Sequence, residues 1–335
     1  MIEIGSEFWT RQEPIGKEKA SNEEYLLSGR TALRFIIDDV CGEREIKKVL
    51  LPSYCCESMI RPFADRGISV QFYRVDLGGV DLPFDNDADL ILLIDLFGYV
   101  DHRNREFARA QKRAGKIIVY DSTHKLDGNT SVQNYADYSF CSYRKWFYCN
   151  YASAVKHNGT FNANRTLSLN DSYIGLRDRA AQRKEKYIAG IISEKAEFLS
   201  DFAAAEQMLD EDYVGYCGEP VSFDARDIIL RRVENASHLI EELRNIPEIK
   251  LWRDSVKSED SPMFVPIFVE QNIRNDLRRA LISEKIYCPI HWPRSNSYGG
   301  NNELYDTEIS LVCDQRYSIE DMDRIISVIK RFFSN

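Results

Sequence analysis

The chain has 335 residues, 44% of them apolar, with 44 Lys and Arg against 53 Asp and Glu and a formal net charge of −9. That length and apolar content support a large domain with a smaller one beside it and argue against disorder. The acidic balance excludes a global basic field for nucleic acid. The longest apolar run, Leu90 to Val100, is interrupted by Asp95, so no membrane span is expected. Met1 to Glu7 is acidic and lacks a basic start followed by an apolar stretch, so no secretory signal is expected either. Cysteines stand at 41, 55, 56, 141, 149, 217, 288 and 313 with no zinc-type pairing. A reduced cytoplasm and no metal are the expectation.

From about residue 28 helical and strand signals alternate. Thr31 to Val40 reads as a helix with Leu33, Phe35, Ile36 and Ile37 as its apolar surface. Val49–Leu51 reads as a buried strand ending at Pro52, Ser58 to Arg66 as a helix stopped by Gly67, and Val70 to Val75 as a strand ending at Asp76. Leu90 to Ile94 is a fully apolar strand ending at Asp95. A helix over Arg105 to Ala114 then leads into the strand Ile117 to Tyr120, which ends at Asp121. Asp137 to Cys141 is a further β-like run. Helices between apolar strands imply a parallel sheet covered on both faces, whose ligands sit beyond the carboxyl ends of the strands. Acids there also serve as plain caps, the simpler reading for Asp76 and one of two for Asp95.

Asp178 to Leu209 is charged and helical in composition, and its Arg183-Lys184-Glu185-Lys186 run reads as a solvated helix face. Leu230 to Leu243 is amphipathic, and the change of domain is placed near it. A large domain is expected over 20–228 and a small one over 229–335, the latter packed with segment 1–19. Within the small domain, short strands are expected over Met263 to Val269, then a helix from Ile273 to Ser283 and a strand from Glu308 to Val312. Ser318 caps a last helix, with Asp321 placed for a capping box. Tyr298 to Asn302 reads as a turn, or as a flap near a site.

Two strand ends carry chemistry: Asp121-Ser122-Thr123-His124 and Ser142-Tyr143-Arg144-Lys145. An acid, an imidazole, a hydroxyl and an amine on neighbouring strands are the equipment for holding pyridoxal 5'-phosphate (PLP). A lysine forms the Schiff base, and a carboxylate keeps the pyridine nitrogen protonated. Taken singly, Asp121 caps a turn as readily, and His124 serves as a satisfied polar residue. Lys145 lies among Phe140, Cys141, Tyr143, Trp146, Phe147 and Tyr148, which argues for partial burial. Ser28-Gly29-Arg30-Thr31 enters a helix and offers either a phosphate site or an ordinary N-cap. No GxGxxG or GxxxxGK[ST] occurs, so nicotinamide and nucleoside-triphosphate readings lose their main support.

In this order the pieces resemble the DegT/StrS-type sugar aminotransferases, fold type I PLP enzymes. The likeness runs from about residue 25 to the C-terminus: Leu27 to Leu33, Val49 to Tyr54, Asp95-Leu96-Phe97-Gly98, Asp121-x-x-His124, Ala136 to Lys145, Arg231-Arg232-x-x-Asn235-Ala236, and Glu308 to Ile329. The resemblance implies an α/β fold with a mainly parallel, seven-stranded-type sheet flanked by helices, plus a smaller C-terminal α+β domain. It implies Lys145, Asp121 and His124 as catalytic residues. Gly29, Arg30, Thr31 and Ser142 would sit around the phosphate, with Ser139 as an alternative to Ser142. Tyr54, Cys55 or Cys56 would stack on the ring, and His291 and Arg294 would line the substrate entrance. It further implies PLP, glutamate as amino donor, a keto-sugar acceptor (possibly nucleotide-linked), and a homodimer with its site at the interface. Cell-surface polysaccharide or secondary-metabolite biosynthesis is the implied setting. A PLP-dependent lyase or dehydratase and a non-catalytic ligand-binding relative are the alternatives. Two departures stand out. Trp146 to Ser153 replaces the family's Thr/Gly-Gly segment, and the chain looks short.

Overall fold

The computed structural model describes residues 3–10, 20–126, 131–162, 171–211, 223–294 and 302–334. Its strands in chain order are β1 Ile4–Gly5, β2 Glu23–Leu26, β3 Lys48–Pro52, β4 Ser69–Asp76, β5 Gly79–Asp81, β6 Leu90–Ile94, β7 Ile117–Asp121 and β8 Tyr138–Ser142. They continue with β9 Ala152–Lys156, β10 Lys250–Leu251, β11 Val265–Phe268, β12 Ile286–Tyr287 and β13 Glu308–Leu311. The main sheet has the order β2-β9-β8-β7-β6-β3-β4-β5. Its five central strands, β8 to β4, are parallel, and the pairs at both margins are antiparallel. It holds eight strands where seven were expected. The addition at one edge is a hairpin strand, β5, whose turn is tied by the Gly78 N–H donating to Asp76 Oδ1 at 2.8 Å. Asp76 is thus a turn cap.

Alternation along the strands builds two layers. Val49, Leu51, Leu90, Leu92 and Val119 join the helices Gly29–Glu43 and Glu57–Ala64 in one core. Leu50, Ile91, Leu93, Ile118 and Tyr120 join Phe107 of the helix His102–Arg113 in the other. Each fully buried side chain of this size contributes about 1.5–3 kcal/mol, which makes the frame under the strand ends stiff. Parallel pairing places Pro52, Ile94, Asp121 and Ser142 at one edge, with Ile94 opposite Asp121 and Asp121 opposite Phe140.

The C-terminal part is built on the antiparallel sheet β10-β11-β13 and the helices Ala225–Leu243, Gln271–Ser283 and Ile319–Ser334. Its core contains Leu239, Leu277, Leu281, Ile309, Ile325 and Ile329, together with Ile4 from the other end of the chain. β1 pairs with β12, Ile4 opposite Ile286. The helix Ala225–Leu243 runs across the expected 228/229 boundary. Ser318 begins the last helix, its N–H donating to Asp321 Oδ2 at 3.2 Å.

One expectation is overturned here. Lys184 is not on a solvated face: it is 2% exposed and donates to Ser6 Oγ at 3.1 Å and to the Glu7 carbonyl. The N-terminal segment covers it, and burial pushes its amine down to about 7. Among the described residues no helix is long and apolar enough to cross a membrane. Residues 298–301 of the expected turn, Cys217, and the parts of segment 1–19 at 1–2 and 11–19 lie outside the described residues.

Candidate active site

Three chain segments converge beyond the carboxyl ends of the parallel strands. The first is the start of the helix Gly29–Glu43. Ser28 caps it: the Thr31 N–H donates to Ser28 Oγ at 3.2 Å and the Ser28 N–H to Thr31 Oγ1 at 2.9 Å. The positive end of this helix borders one cavity, which Ser28, Gly29 and Arg30 line. Thr31 does not line it. Its hydroxyl is committed to the cap and its side chain is fully buried, which removes it from the phosphate set. At Gly29 a Cβ would stand 3.3 Å from Ser142 Cβ, so the helix start and the end of β8 touch.

The second segment follows β7. Asp121 is 6% exposed and accepts from the Thr123 N–H at 2.8 Å. Among the described residues no cationic side chain pairs with it, and burial pushes its carboxyl up to about 6. His124 Nδ1 accepts from the Phe97 N–H at 2.9 Å, so the proton of the neutral ring sits on Nε2. Burial first, and Lys145 second, push this imidazole down to about 3. The ring stacks on Trp292, with centroids 5.6 Å apart and planes at 19°. Phe97 belongs to the Leu96–Gly98 turn, which is held close. At Gly98, with φ at +88°, a Cβ would lie 2.0 Å from the Ser261 carbonyl oxygen and 2.7 Å from that of His124.

The third segment is the end of β8 and the short 3-10 turn Tyr143–Lys145. The Ser142 N–H donates to Thr123 Oγ1 at 3.2 Å, which ties the second and third segments together. The two candidate serines lie in different places. Ser142 lines the cavity, whereas Ser139 Oγ lies 2.9 Å from His157 Nε2. The Trp146 indole donates to the Thr123 carbonyl at 2.8 Å, and Gln315 donates to the Trp146 carbonyl. The Arg232 guanidinium lies over its ring at 4.3 Å. The aromatic segment after Lys145 therefore anchors the turn that carries it through buried packing.

Lys145 is exposed, not partly buried as expected, because its neighbours Phe140, Trp146, Phe147 and Tyr148 pack into the core without covering it; it lines two cavities together with Arg144. Among the described residues no hydrogen bond or ion pair engages its amine. Desolvation first, and the Arg144 charge second, hold its pKa below the ordinary value, which favours the neutral nucleophilic form. Arg144 pairs with Glu206, a partner that sequence reading missed because it lies on a distant helix, Ala196–Glu211. Desolvation raises the Glu206 carboxyl, but Arg144 outweighs it and holds it at about 2.

The first cavity has a volume of about 510 Å³ and joins most of the expected residues: Gly29, Arg30, Cys56, Asp121, His124, Ser142, Lys145 and Arg294. Arg294 is held by Asp306 at 2.5 Å. Besides Thr31, two expected residues lie elsewhere. Tyr54 is fully buried behind the cavity, its ring packed on Trp292 at 5.2 Å and on Tyr305 at 4.8 Å. Cys56, at the start of the next helix, lines the cavity in its place, with Sγ 2.9 Å from Ser58 Oγ. His291 lines the second cavity. Its N–H donates to Glu308 Oε2 at 2.6 Å and its Nδ1 lies 2.8 Å from Ser310 Oγ. Trp292, between His291 and Pro293, is the aromatic that reaches the first cavity. Asp95 does not line that cavity; it accepts from the Asp101 N–H and from Asn104, each at 3.2 Å.

No family model matches the chain in sequence, and no curated protein does. Solved structures match it in fold. PseC of Helicobacter pylori, an aminotransferase involved in the biosynthesis of pseudoaminic acid, is similar with a TM-score of 0.68 at 13% identity, over 99% of each chain. Against this neighbour the chain is not short. DesI, solved in the presence of its TDP-sugar product, has a TM-score of 0.61 at 12% identity, over 93% of this chain and 81% of that one. The putative sugar aminotransferase Spr1654 of Streptococcus pneumoniae, in its PLP form, has a TM-score of 0.60 at 16% identity, over 97% of this chain and 93% of that one. Identities this low speak for architecture and leave chemistry to the site. The chain has the α/β fold of these solved structures, that of the fold type I PLP-dependent enzymes.

Proposed function

We propose that the chain is a PLP-dependent aminotransferase that carries an amino group from glutamate to a keto-sugar, nucleotide-linked, in cell-surface polysaccharide or secondary-metabolite biosynthesis. The observation that carries this reading is a single cavity lined by a free lysine amine, a buried carboxyl without a cationic partner and the start of a capped helix. Those residues fit PLP. Asp121 is a buried acid whose raised pKa falls once a cation stands beside it, as a protonated pyridine nitrogen does. Gly29 leaves room for close approach of the helix start to Ser142. When bound, PLP supplies an electron sink for breaking bonds at the amino carbon.

The chain's own residues would act as follows. The N–H groups at Gly29 and Arg30 and the Ser142 hydroxyl would hold the phosphate. Asp121 would hold a proton on the ring nitrogen. His124, whose Nδ1 is engaged by Phe97, would offer its Nε2–H to the ring edge. Cys56 faces the same cavity without an aromatic ring, and Trp292 stacked on His124 would close that side. Lys145, as a neutral amine beside the cofactor, would take and return a proton at the amino carbon of the substrate. Arg294 would meet the acceptor, and His291 would line its approach from the second cavity. A large domain over 20–228 and a small one over 229–335 joined by segment 1–19, a homodimeric state with its site at the interface and a cytoplasmic location belong to the same proposal.

The test is the visible spectrum of the purified protein with PLP, before and after L-glutamate. A yellow band that glutamate discharges and that Lys145→Ala lacks supports the reading. A folded protein that takes up no colour overturns it, and a band indifferent to glutamate overturns the donor.

A further inference from the structure

Glu308, at the start of β13, is a fully buried acid that lines neither cavity. It is joined to the second cavity through two residues. Its Oε1 lies 2.5 Å from Ser310 Oγ, and Ser310 Oγ lies 2.8 Å from His291 Nδ1. The His291 N–H donates to the other carboxyl oxygen at 2.6 Å, which fixes the acid against the histidine's own backbone. Of the three side chains only the imidazole reaches open space. His291 lines the cavity of about 340 Å³ that Lys145 also lines. Its Nε2 has no hydrogen-bond partner among the described residues. Its ring stands edge-on to that of His124, which lines the first cavity, with centroids 6.3 Å apart. Burial pushes the Glu308 carboxyl up to about 8, so it keeps its proton at neutral pH. Arg274, the cation facing it from the helix Gln271–Ser283, spends its guanidinium on the Tyr305 and Glu308 carbonyls at 3.3 and 3.4 Å. Burial first, then His124 and Lys145, hold the His291 imidazole well below its ordinary value, so the ring is neutral. A protonated carboxyl donates to the serine, the serine hydroxyl donates to Nδ1, and the ring proton then stands on Nε2.

We propose that Glu308, Ser310 and His291 form a proton relay in which the His291 Nε2–H protonates the carbonyl oxygen of the keto substrate. As Nε2 gives up its proton, Nδ1 takes the serine's and the serine takes the carboxyl's. One proton thus leaves Glu308 without an imidazolium being formed. The oxygen takes two protons as it leaves as water, and the amine nitrogen that replaces it gives up two. Each proton lent is therefore returned, and Glu308 ends protonated. His291 is the residue that touches the substrate, and Ser310 and Glu308 act through it. The inference rests on the reading of the chain as an aminotransferase.

The test has two readouts. Heteronuclear NMR of the histidine side chains in the full, PLP-free chain should show His291 neutral and protonated on Nε2 at neutral pH. Glu308→Gln should keep that tautomer, because an amide N–H replaces the acid's O–H, and Ser310→Ala should lose the single tautomer. The second readout is the return of the visible band when 2-oxoglutarate is added to protein discharged with glutamate. Both keto compounds of a transfer present their carbonyl at the same place, so this keto acid probes the step. Glu308→Gln should slow the return about tenfold or more and His291→Gln about 10²-fold, because an amide does not pass a proton on. Glu308→Gln should also lose part of the solvent deuterium isotope effect. A His291 protonated on Nδ1, or a Glu308→Gln protein that recovers colour at the unmodified rate, overturns the proposal. Slower return with an unchanged isotope effect also overturns it, by making Glu308 a structural acid. A protein that takes up no colour with PLP overturns the aminotransferase reading and the carbonyl as target, and the tautomer and its dependence on Ser310 then decide the relay alone.

Discussion

The two cavities that meet at Lys145 are made in different ways. The first is framed largely by strand ends and the backbone turns that follow them: the capped start of the helix after Ser28, the Asp121–His124 turn, and the end of β8. Its polar groups are short, and hydrogen bonds to neighbouring backbone orient several of them. The second is framed by long cationic side chains from helices and loops far apart in the chain, with the N-terminal residues Gly5 to Phe8 as one wall. A cavity of the first kind is preorganised by secondary structure and suits a cofactor that must not move. The second is largely neutralised from within: Asp314 binds Arg316 at 2.7 Å and Glu206 pairs with Arg144, while Arg232 lies buried over the Trp146 ring.

The largest expected effect tests the shared lysine. Lys145→Ala should lose the visible band with PLP and roughly 10³-fold or more of transamination, measured with glutamate and any accepted keto-sugar. Retained colour would separate Lys145 from the first cavity. Next comes Asp121→Asn, which should reduce turnover about 10²-fold or more and weaken PLP binding. The same change should raise the melting stability of the PLP-free protein by about 1 kcal/mol at neutral pH, since a buried carboxylate without a cationic partner is removed. A loss of stability instead would mean that Asp121 is a structural cap.

Gly98→Ala should destabilise by about 3 kcal/mol or more in denaturant titration, because a Cβ meets two carbonyl oxygens that join the His124 turn to Ser261. A smaller pH effect comes from Glu308, which accepts from the His291 N–H behind the second cavity. Burial holds the Glu308 carboxyl up at about 8 against an ordinary 4.5. The folded protein therefore keeps a proton that the unfolded chain loses. The corresponding stabilisation is fully present below pH 4.5 and is lost as the pH rises through about 8, at most about 1.4 kcal/mol per unit. Glu308→Gln should flatten that slope in melting curves taken across the range. The least effect belongs to Tyr54→Phe. The Tyr54 hydroxyl is buried with no hydrogen-bond partner among the described residues, so PLP binding should be unchanged. A change in the visible spectrum would put Tyr54 back at the ring.

Much of the first cavity was legible in the chain. The runs Val49–Leu51, Leu90–Ile94 and Ile117–Tyr120 announce buried parallel strands, and the residues just after such strands fall at the ligand-binding edge. Asp121, His124, Ser142 and Lys145 were placed at that edge in that way, and they line one cavity. Local signals could not choose between Tyr54 and Cys56, since one residue of register decides which side chain faces inward. The Thr31 hydroxyl looked like a phosphate ligand because a cap and an anion site use the same residue types. Lys184 looked solvated because helical charge patterning does not report what a remote segment lays over the helix.

Order and type of elements, the positions of the strand ends and the candidate amine and acid were determined by sequence alone, because hydrophobic period and capping act over a few residues. The convergence of Arg232, Arg278 and Arg316 on Lys145, the pairing of Arg144 with Glu206, and the removal of Thr31 and Tyr54 from the cavity wall were decided only by the tertiary structure. Contacts between residues tens to hundreds of positions apart depend on how whole layers pack, and no local pattern records them.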